Sequence, residues 1–268
     1  MRVTRVTKDM HVHTNLSACA DPDATLAKMA EAADRFGIQT LGIANHLWDN
    51  RVPGATGWYA PQDVEHVLKT HEEMAGISKP RILVGCEAEY IGNGVLSLTP
   101  ENAARLDYLL ASFTHFHMKG LTISPDITAP KGVADLMVQR VFELIEHPTM
   151  NCGVPAGFAH LFCPSGCDNW PEIFEHLSSE MFRELFKRVA DKNISVGIHN
   201  GHCGEGPIRE HEVRMFTIAK ECGCHFHFES DGHTFKEGDP EAICAEKYAR
   251  HAKLADEVGI TEAEIWAI

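Results

Sequence analysis

The sequence predicts an α/β fold, a single barrel of consecutive βα units around a parallel sheet. Three observations predict it. Short β-branched or aromatic runs alternate along the chain with segments of about 12 to 20 residues that carry helical period. No low-complexity tract, charge block or fixed-period repeat interrupts that alternation, which leaves no linker, tail or solenoid. The 268 residues match the roughly 250 of a single α/β barrel without remainder, so residues 1–268 are expected to form a single domain.

Seven units follow in order. The first strand covers Val6 to His13. Its helix covers Thr25 to Phe36, with Leu26, Met29, Ala30 and Ala33 on one face and Gly37 as its stop. Thr40 to His46 is the second strand, and the helix behind it opens at Pro61, a residue favoured in the first helical position. The third strand, Arg81 to Tyr90, precedes a short helix entered through Thr99, Pro100 and Glu101. Strand four is Tyr108 to His115, with a helix from Val133 to Glu146 ahead of Pro148. Strand five, Gly157 to Phe162, precedes a long helix from near Pro171 to Lys192. Strand six is Ile194 to Asn200, followed by a helix from Ile208 to Glu221 that Gly223 closes. Strand seven, His225 to Asp231, leads into a last helix from Pro240 to Val258.

Composition narrows the function. Acidic residues outnumber basic ones by 38 to 24, for a net charge of −14, which argues against a surface that holds duplex nucleic acid or an anionic membrane. No apolar run approaches the roughly 18 to 20 residues that span a bilayer, and the first residues form no apolar export segment, so a cytoplasmic protein is expected. Nine cysteines, an odd number, exclude a complete disulfide framework. The 17 histidines are the anomaly.

They sit where a barrel does its chemistry. His11 and His13, His46, Glu87, His115, His160, His199, and Asp231 with His233 each stand near the carboxyl end of a predicted strand. Barrels of this class build the active site at that face, so residues remote in sequence are expected to converge. His11 and His13 lie at i and i+2 of a strand, which puts both rings on one face, as two ligands of one cation need. The same parity pairs Asp231 with His233. One strand-end histidine is more often a hydrogen-bonded structural residue than a ligand. For the ensemble the balance reverses, because so many imidazoles facing two carboxylates are costly to desolvate without a compensating cation. Imidazole with carboxylate suits zinc, manganese or iron better than calcium or magnesium.

With those residues in view, the chain resembles the PHP (polymerase and histidinol phosphatase) family of metal-dependent phosphoesterases. Asp9, His11, His13 and Thr14 stand as the family's opening Asp-x-His-x-His-Thr, and Ile43, Ala44, Asn45 and His46 resemble its second motif. Gly85 to Glu87 is similar to the third, Ser112 to His115 to the fourth, Phe158 to His160 to the fifth, and Ser230 to His233 to the last. The resemblance implies a distorted (β/α)7 TIM-like barrel and three divalent metal ions, Zn, Mn or Fe. By position, His11, His13, Glu87 and Asp231 would hold one ion, His46 and His233 a second, and His115 and His160 a third, with Glu87 bridging. Some members supply another ligand six residues after the second histidine of the opening motif, and Cys19 stands there. A thiolate would favour zinc at that ion, although cysteine is also a common small core residue.

The chain departs from the pattern in places. Asn45 replaces the usual acidic residue before His46. The fourth motif carries one extra residue, which makes His117 a rival of His115, and His115 is preferred. On strand six His199 replaces the usual polar stretch and is expected to meet substrate or support the ligands.

The chemistry implied is attack of a metal-bridging hydroxide on the phosphorus of a small phosphate ester, with Glu87 and Asp231 organising the site. Water or His199 would protonate the leaving oxygen. Donors for the phosphate come from loops: His117 and Lys119 after strand four, with Lys131 further on, and His202 and Arg209 in the glycine-rich loop after strand six. Trp48, Trp58 and Tyr59 either wall the pocket or pack their own loop. His225, His227 and Glu229, in phase with Asp231, are expected below the metals in structural hydrogen bonds. His66, His71, His176, His211 and His251 are expected to be solvated, and the pairs Cys163 with Cys167 and Cys222 with Cys224 incidental. Two other functions compete: an amidohydrolase-type enzyme attacking carbon, and a barrel that binds metal without turnover. A polymerase proofreading module is disfavoured, since neither a polymerase domain nor a basic stripe is present.

Overall fold

The computed structural model describes residues 1–199, 201 and 206–268. Its strands are β1 (Lys8–Val12), β2 (Thr40–Ile43), β3 (His46–Leu47), β4 (Arg81–Val84), β5 (Glu87–Glu89), β6 (Leu109–Ser112), β7 (Ala156–Phe158), β8 (Ser195–His199) and β9 (Phe226–Glu229). They form two parallel sheets, ordered β1-β2-β4 and β3-β5-β6-β7-β8-β9.

Two of the seven expected strands are therefore interrupted. The second breaks at Ala44 and Asn45, giving β2 and β3, and the third at Gly85 and Cys86, giving β4 and β5. The ladder survives both breaks: Ala44 N–H donates to Val12 O, Gly85 N–H to Ile43 O, Glu87 N–H to Asn45 O and Leu110 N–H to Cys86 O. The first break has a local cause. There a side chain takes over from the backbone, since the Asn45 Oδ1 accepts the Thr14 amide at 2.8 Å. The ring is completed on the far side, where Asp231 N–H donates to His11 O and His13 N–H to Gly232 O, both at 2.9 Å.

Helices cover the outside: α1 (Leu26–Arg35), α2 (Val64–Leu68), α3 (Thr70–Glu73), α4 (Pro100–Ala103), α5 (Pro130–Ile145), α6 (Trp170–Glu175), α7 (Ser179–Asp191), α8 (Pro207–Glu221) and α9 (Ala245–Val258). The Gly37 stop is realised as a Schellman closure. Gly37 is left-handed at φ 78°, Ile38 N–H bonds Ala33 O, and Gly37 N–H bonds Asp34 O. Several expected bounds shift for capping reasons. The helix expected from Pro61 starts at Val64 because the Asp63 side chain accepts from His66 N–H. The long helix expected to Lys192 is two helices, because Ser178 caps α7 through Met181 N–H. The last helix starts at Ala245 rather than Pro240, since Ala242 N–H and Ile243 N–H are spent on Asp239 O and Thr234 O.

Not every predicted exposure holds. His251 is buried, stacked on Phe228, because it shares the inner face of α9 with Lys247, Tyr248 and Ala255. His66 is half-buried with Nε2 at 2.8 Å from Leu16 O, and His211 stacks on Phe174. His71 and His176 are exposed, as expected. Among the described residues no helix is long and apolar enough to cross a membrane.

The core has two parts. A large one fills the space between strands and helices, and a small one inside the ring comprises Met10, Ala44, Leu83, Tyr108, Leu110, Ala159 and Trp266. Tyr108 lies among them, with its hydroxyl donating to Met10 O at 2.9 Å. Inward glycines make the room it needs: a Cβ on Gly85 would stand 2.4 Å from the Tyr108 ring. Gly85→Ala is accordingly expected to lower unfolding free energy by about 1–3 kcal/mol through overpacking. Denaturant melts measure it, and an unchanged midpoint would contradict the packing described.

Candidate metal centre

Above that small inner core the inward side chains turn polar. His11 and His13 leave β1 on one face, and Glu87 opens β5 beside His46, the first residue of β3. The nitrogens His11 Nε2 and His13 Nε2 lie 3.1 Å apart, and Glu87 Oε2 stands 3.3 and 3.4 Å from them. A tetrahedral zinc with bonds of about 2.0–2.1 Å requires ligand atoms about 3.3 Å apart, so this triangle has the dimensions of one coordination face. Asp231 Oδ1 flanks the same nitrogens, 3.5 Å from His11 and 3.1 Å from His13.

Three groups of side chains are able to hold a cation: His11, His13 and Glu87; Glu87, His115 and His160; and His13, Cys19, His46 and His233. Glu87 and His13 each belong to two of them. Orphaned atoms point the same way. The buried His46 Nδ1 lies 3.2 Å from Glu87 Oε2 yet has no hydrogen-bond partner. A buried lone pair left unmatched is expensive unless a cation takes it.

The backbone is bent to present these groups. His160 and Asp231 both adopt positive φ, 34° and 50°, a region L-residues rarely occupy. His160 is held there from three sides: its N–H donates to Glu229 Oε2 at 2.7 Å, Nδ1 meets Thr114 Oγ1 at 2.9 Å, and Nε2 meets Glu87 Oε1 at 2.8 Å. Asp9, fully buried, accepts from His11 N–H, Ser230 N–H and the Tyr248 hydroxyl. That one carboxylate keeps the end of β1 beside Asp231.

Residues 9–200 match the PHP domain family. The chain belongs to that family. The match stops before Asp231 and His233, whose place in the site is given by geometry. As a PHP protein the chain is a metal-dependent phosphoric ester hydrolase, which displaces the carbon-attacking and non-catalytic alternatives. Curated protein sequences yielded no match. Among solved structures, histidinol phosphate phosphatase from Lactococcus lactis subsp. lactis Il1403, complexed with zinc, L-histidinol and phosphate, is similar over 94% of both chains. The identity is 13% and the TM-score 0.70, a likeness of fold, the TIM-like distorted barrel. Two others are looser: the phospho-2-dehydro-3-deoxyheptonate aldolase of Thermotoga maritima (14% identity, 95% of this chain and 71% of that one, TM-score 0.36), and a TatD family hydrolase of Entamoeba histolytica (9%, 98% and 93%, TM-score 0.39).

Within this PHP site the predicted residues sort themselves. His115 is turned inward, with Nε2 3.6 Å from Glu87 Oε1, whereas His117 is exposed with Nδ1 3.2 Å from Ser165 Oγ. A cavity of ≈ 700 Å³ opens over the cluster, lined by His46, His115, His233, Lys119, Trp58 and Tyr59 among others, His117 and Cys19 included. Trp48 is buried and packs on Tyr59, so of the three aromatics it alone only packs its loop. His199 stands beside Asp231, Nε2 to Oδ2 3.4 Å.

Arg209 does not reach the cavity. It lies in the first turn of α8, which packs on α9, and its guanidinium is engaged by Glu257. Lys131 is exposed and paired with Asp135. His202 lies outside the described residues. His227 and Glu229 are buried and bonded at 2.7 Å, a structural pair below the cluster, and Asn45 bonds Thr14 rather than a ligand. The described cysteines form no disulfide. Sequence reasoning gave no role to Ser17 or Glu89. Ser17 Oγ lies 3.1 Å from His13 Nδ1 and accepts from His46 N–H.

Protons distribute unevenly over the candidate ligands. Burial opposes the charge of Glu87, yet the rings of His46, His11 and His115 outweigh it and hold the carboxyl well below its usual range. Asp231 is likewise held low against burial by His11 and by hydrogen bonds from His13 and His199. Burial alone would lower His11, His13 and His115, but the facing carboxylates raise all three, His115 to about 9. His46, His160 and His233 go the other way through burial, His233 to about 4. Burial and the nearby Glu87 and Asp231 charges push the Cys19 thiol up.

Ligation needs neutral imidazole and thiolate, so loading must expel protons. At pH 7, where the metal-free His115 ring, raised to about 9, holds its second proton, zinc binding is expected to release protons. The number is expected to shrink as pH rises past about 9 and His115 deprotonates beforehand. Calorimetry in buffers of different ionisation enthalpy reads this, and heats independent of buffer would contradict it.

Proposed function

We propose that this PHP protein hydrolyses a small phosphate monoester, using three divalent ions held by the interlocked ligand groups. One observation carries this reading: Glu87 and His13 are each shared between groups, so the three adjoin, and Cys19, His46, His115 and His233 among them line one cavity. Adjoining positive centres suit a phosphoryl group, whose several oxygens need simultaneous neutralisation. The donor set of imidazole, carboxylate and one thiol suits zinc, manganese or iron, with Cys19 favouring zinc in its group. When bound, such ions supply Lewis acidity, which acidifies water toward hydroxide near neutral pH and offsets charge on phosphoryl oxygens.

The chain's own residues do the remaining work. Gly201 N–H donates to His199 Nδ1 at 3.0 Å, so the proton of the neutral ring lies on Nε2, beside Asp231. That N–H is the hydrogen-bond donor we assign to the leaving oxygen, which takes its proton from water. Lys119 has no ion pair among the described residues, and with His117 it brings N–H donors to the cavity mouth for phosphate oxygens. Residues 1–268 act as one domain in this account, since the site draws ligands from β1 through the segment after β9. The cavity's ≈ 700 Å³ limits the leaving group to a small molecule. Because the Lactococcus lactis phosphatase was solved with L-histidinol and phosphate, histidinol phosphate is the first candidate to assay.

The test is a panel of small phosphate monoesters, phosphodiesters and amides, assayed with chelator-treated and metal-restored protein. We expect monoester hydrolysis that is abolished by chelation and restored by zinc or manganese. We further expect His199→Ala to lower kcat by about 10²–10³-fold while leaving metal content unchanged. Equal, metal-independent inactivity on every monoester would overturn the reading, and preference for diesters would correct it.

A further inference from the structure

A second buried carboxylate adjoins the cluster without belonging to any of its three groups. Glu89 follows Glu87 by two residues on β5, so strand parity sets it on the same face, and it is 1% exposed. Its Oε2 lies 2.6 Å from His115 Nδ1 and 3.2 Å from the Tyr59 hydroxyl. Ser112 Oγ also stands 3.1 Å from that nitrogen, but a hydroxyl donates or accepts and so selects neither tautomer. The Glu89 backbone N–H donates to Ser97 Oγ, whose own hydroxyl donates to Leu47 O, so the position of Glu89 is itself fixed from β3. A carboxylate only accepts. The proton on this contact therefore sits on His115 Nδ1, and the Tyr59 hydroxyl donates to the same oxygen.

We propose, resting on the metal-dependent reading above, that Glu89 is a positioning residue. It fixes His115 as the Nδ1–H tautomer with Nε2 turned to Glu87, and through Tyr59 it locks the cavity's aromatic wall to that same ligand. Two physical consequences follow from the geometry. An imidazole has two tautomers, and only the one with an unprotonated Nε2 offers a lone pair toward Glu87 and His160. A carboxylate behind the ring selects that tautomer, holds the ring's rotation and raises its basicity as a ligand. Tyr59 meets Trp58 edge-on at 4.7 Å and His46 edge-on at 6.0 Å, so its bond to Glu89 joins the loop carrying the exposed Trp58 to two ligands at once.

Zinc titration by calorimetry with elemental analysis, on the full chain, reads the effect. Glu89→Ala is expected to weaken one class of bound zinc by about 10–100-fold while the remainder stays as tight as in the wild type. Glu89→Gln, whose amide oxygen still accepts from Nδ1–H, is expected to fall between the two, and Tyr59→Phe to lose less than Glu89→Ala. Ring ¹⁵N shifts in the zinc-loaded protein supply a readout that simple loosening of the fold would not move. His115 is expected to carry its proton on Nδ1 in the wild type and in Glu89→Gln, and to lose that fixed tautomer in Glu89→Ala. Should Glu89→Ala fail to fold, the weakened zinc binding of Glu89→Gln and the His115 tautomer of the wild type carry the test. Unchanged zinc affinities, or a His115 protonated on Nε2 in the wild type, would overturn the role of Glu89. A wild-type protein that binds no zinc, manganese or iron would overturn the metal-dependent reading itself, and this role with it.

Discussion

Everything in this site turns on one buried carboxylate. Glu87 Oε2 faces His11, His13 and His46 at 3.3, 3.4 and 3.2 Å, and Oε1 faces His160 and His115 at 2.8 and 3.6 Å. An ionised carboxylate at 1% exposure is tolerable only if positive charge surrounds it. Without metal, protonated rings among the facing histidines, His115 foremost, provide that charge, and with metal the cations would. The site therefore trades protons for metal while Glu87 stays anionic throughout.

The barrel exists to make that convergence possible. Five histidines separated by as many as 149 positions, from His11 to His160, meet one side chain because a ring of parallel strands ends at one face. The ring accommodates bulk at its middle by keeping glycines opposite Tyr108, and it accommodates charge by distortion at the top. There side-chain bonds reinforce the ladder. Asn45 holds Thr14, Asp9 holds both His11 and Ser230, and Glu229 holds His160 in a left-handed conformation. Strain at His160 and Asp231 marks the positions where presenting a ligand took precedence over backbone comfort.

Much of this was readable from the sequence, for physical reasons. Strand parity announced that His11 and His13 share a face, and the order of βα units announced that the strand-end residues converge, so seven of the eight side chains now grouped around the cluster, and Asp231 beside them, were named beforehand, while Cys19 was named only by the family resemblance. Tertiary effects were not readable. The break at Ala44 and Asn45 depends on a side chain reaching across to Thr14, and the break between α6 and α7 on which serine caps. Arg209 looked like a phosphate donor until Glu257 of a neighbouring helix was seen to engage it. His251 looked solvated because Lys247 and Tyr248 disguised an inner face. Glu89 was available to the same parity rule that paired His11 with His13, but nothing in the sequence says which imidazole its carboxylate meets.

The central claim is that Glu87 stands between cation sites rather than beside one. Anomalous diffraction from crystals grown with zinc tests it directly. The account predicts three peaks within the cluster, two of them touching Glu87, with the third among His13, Cys19, His46 and His233. A lone peak, or peaks that leave Glu87 uncoordinated, would contradict it.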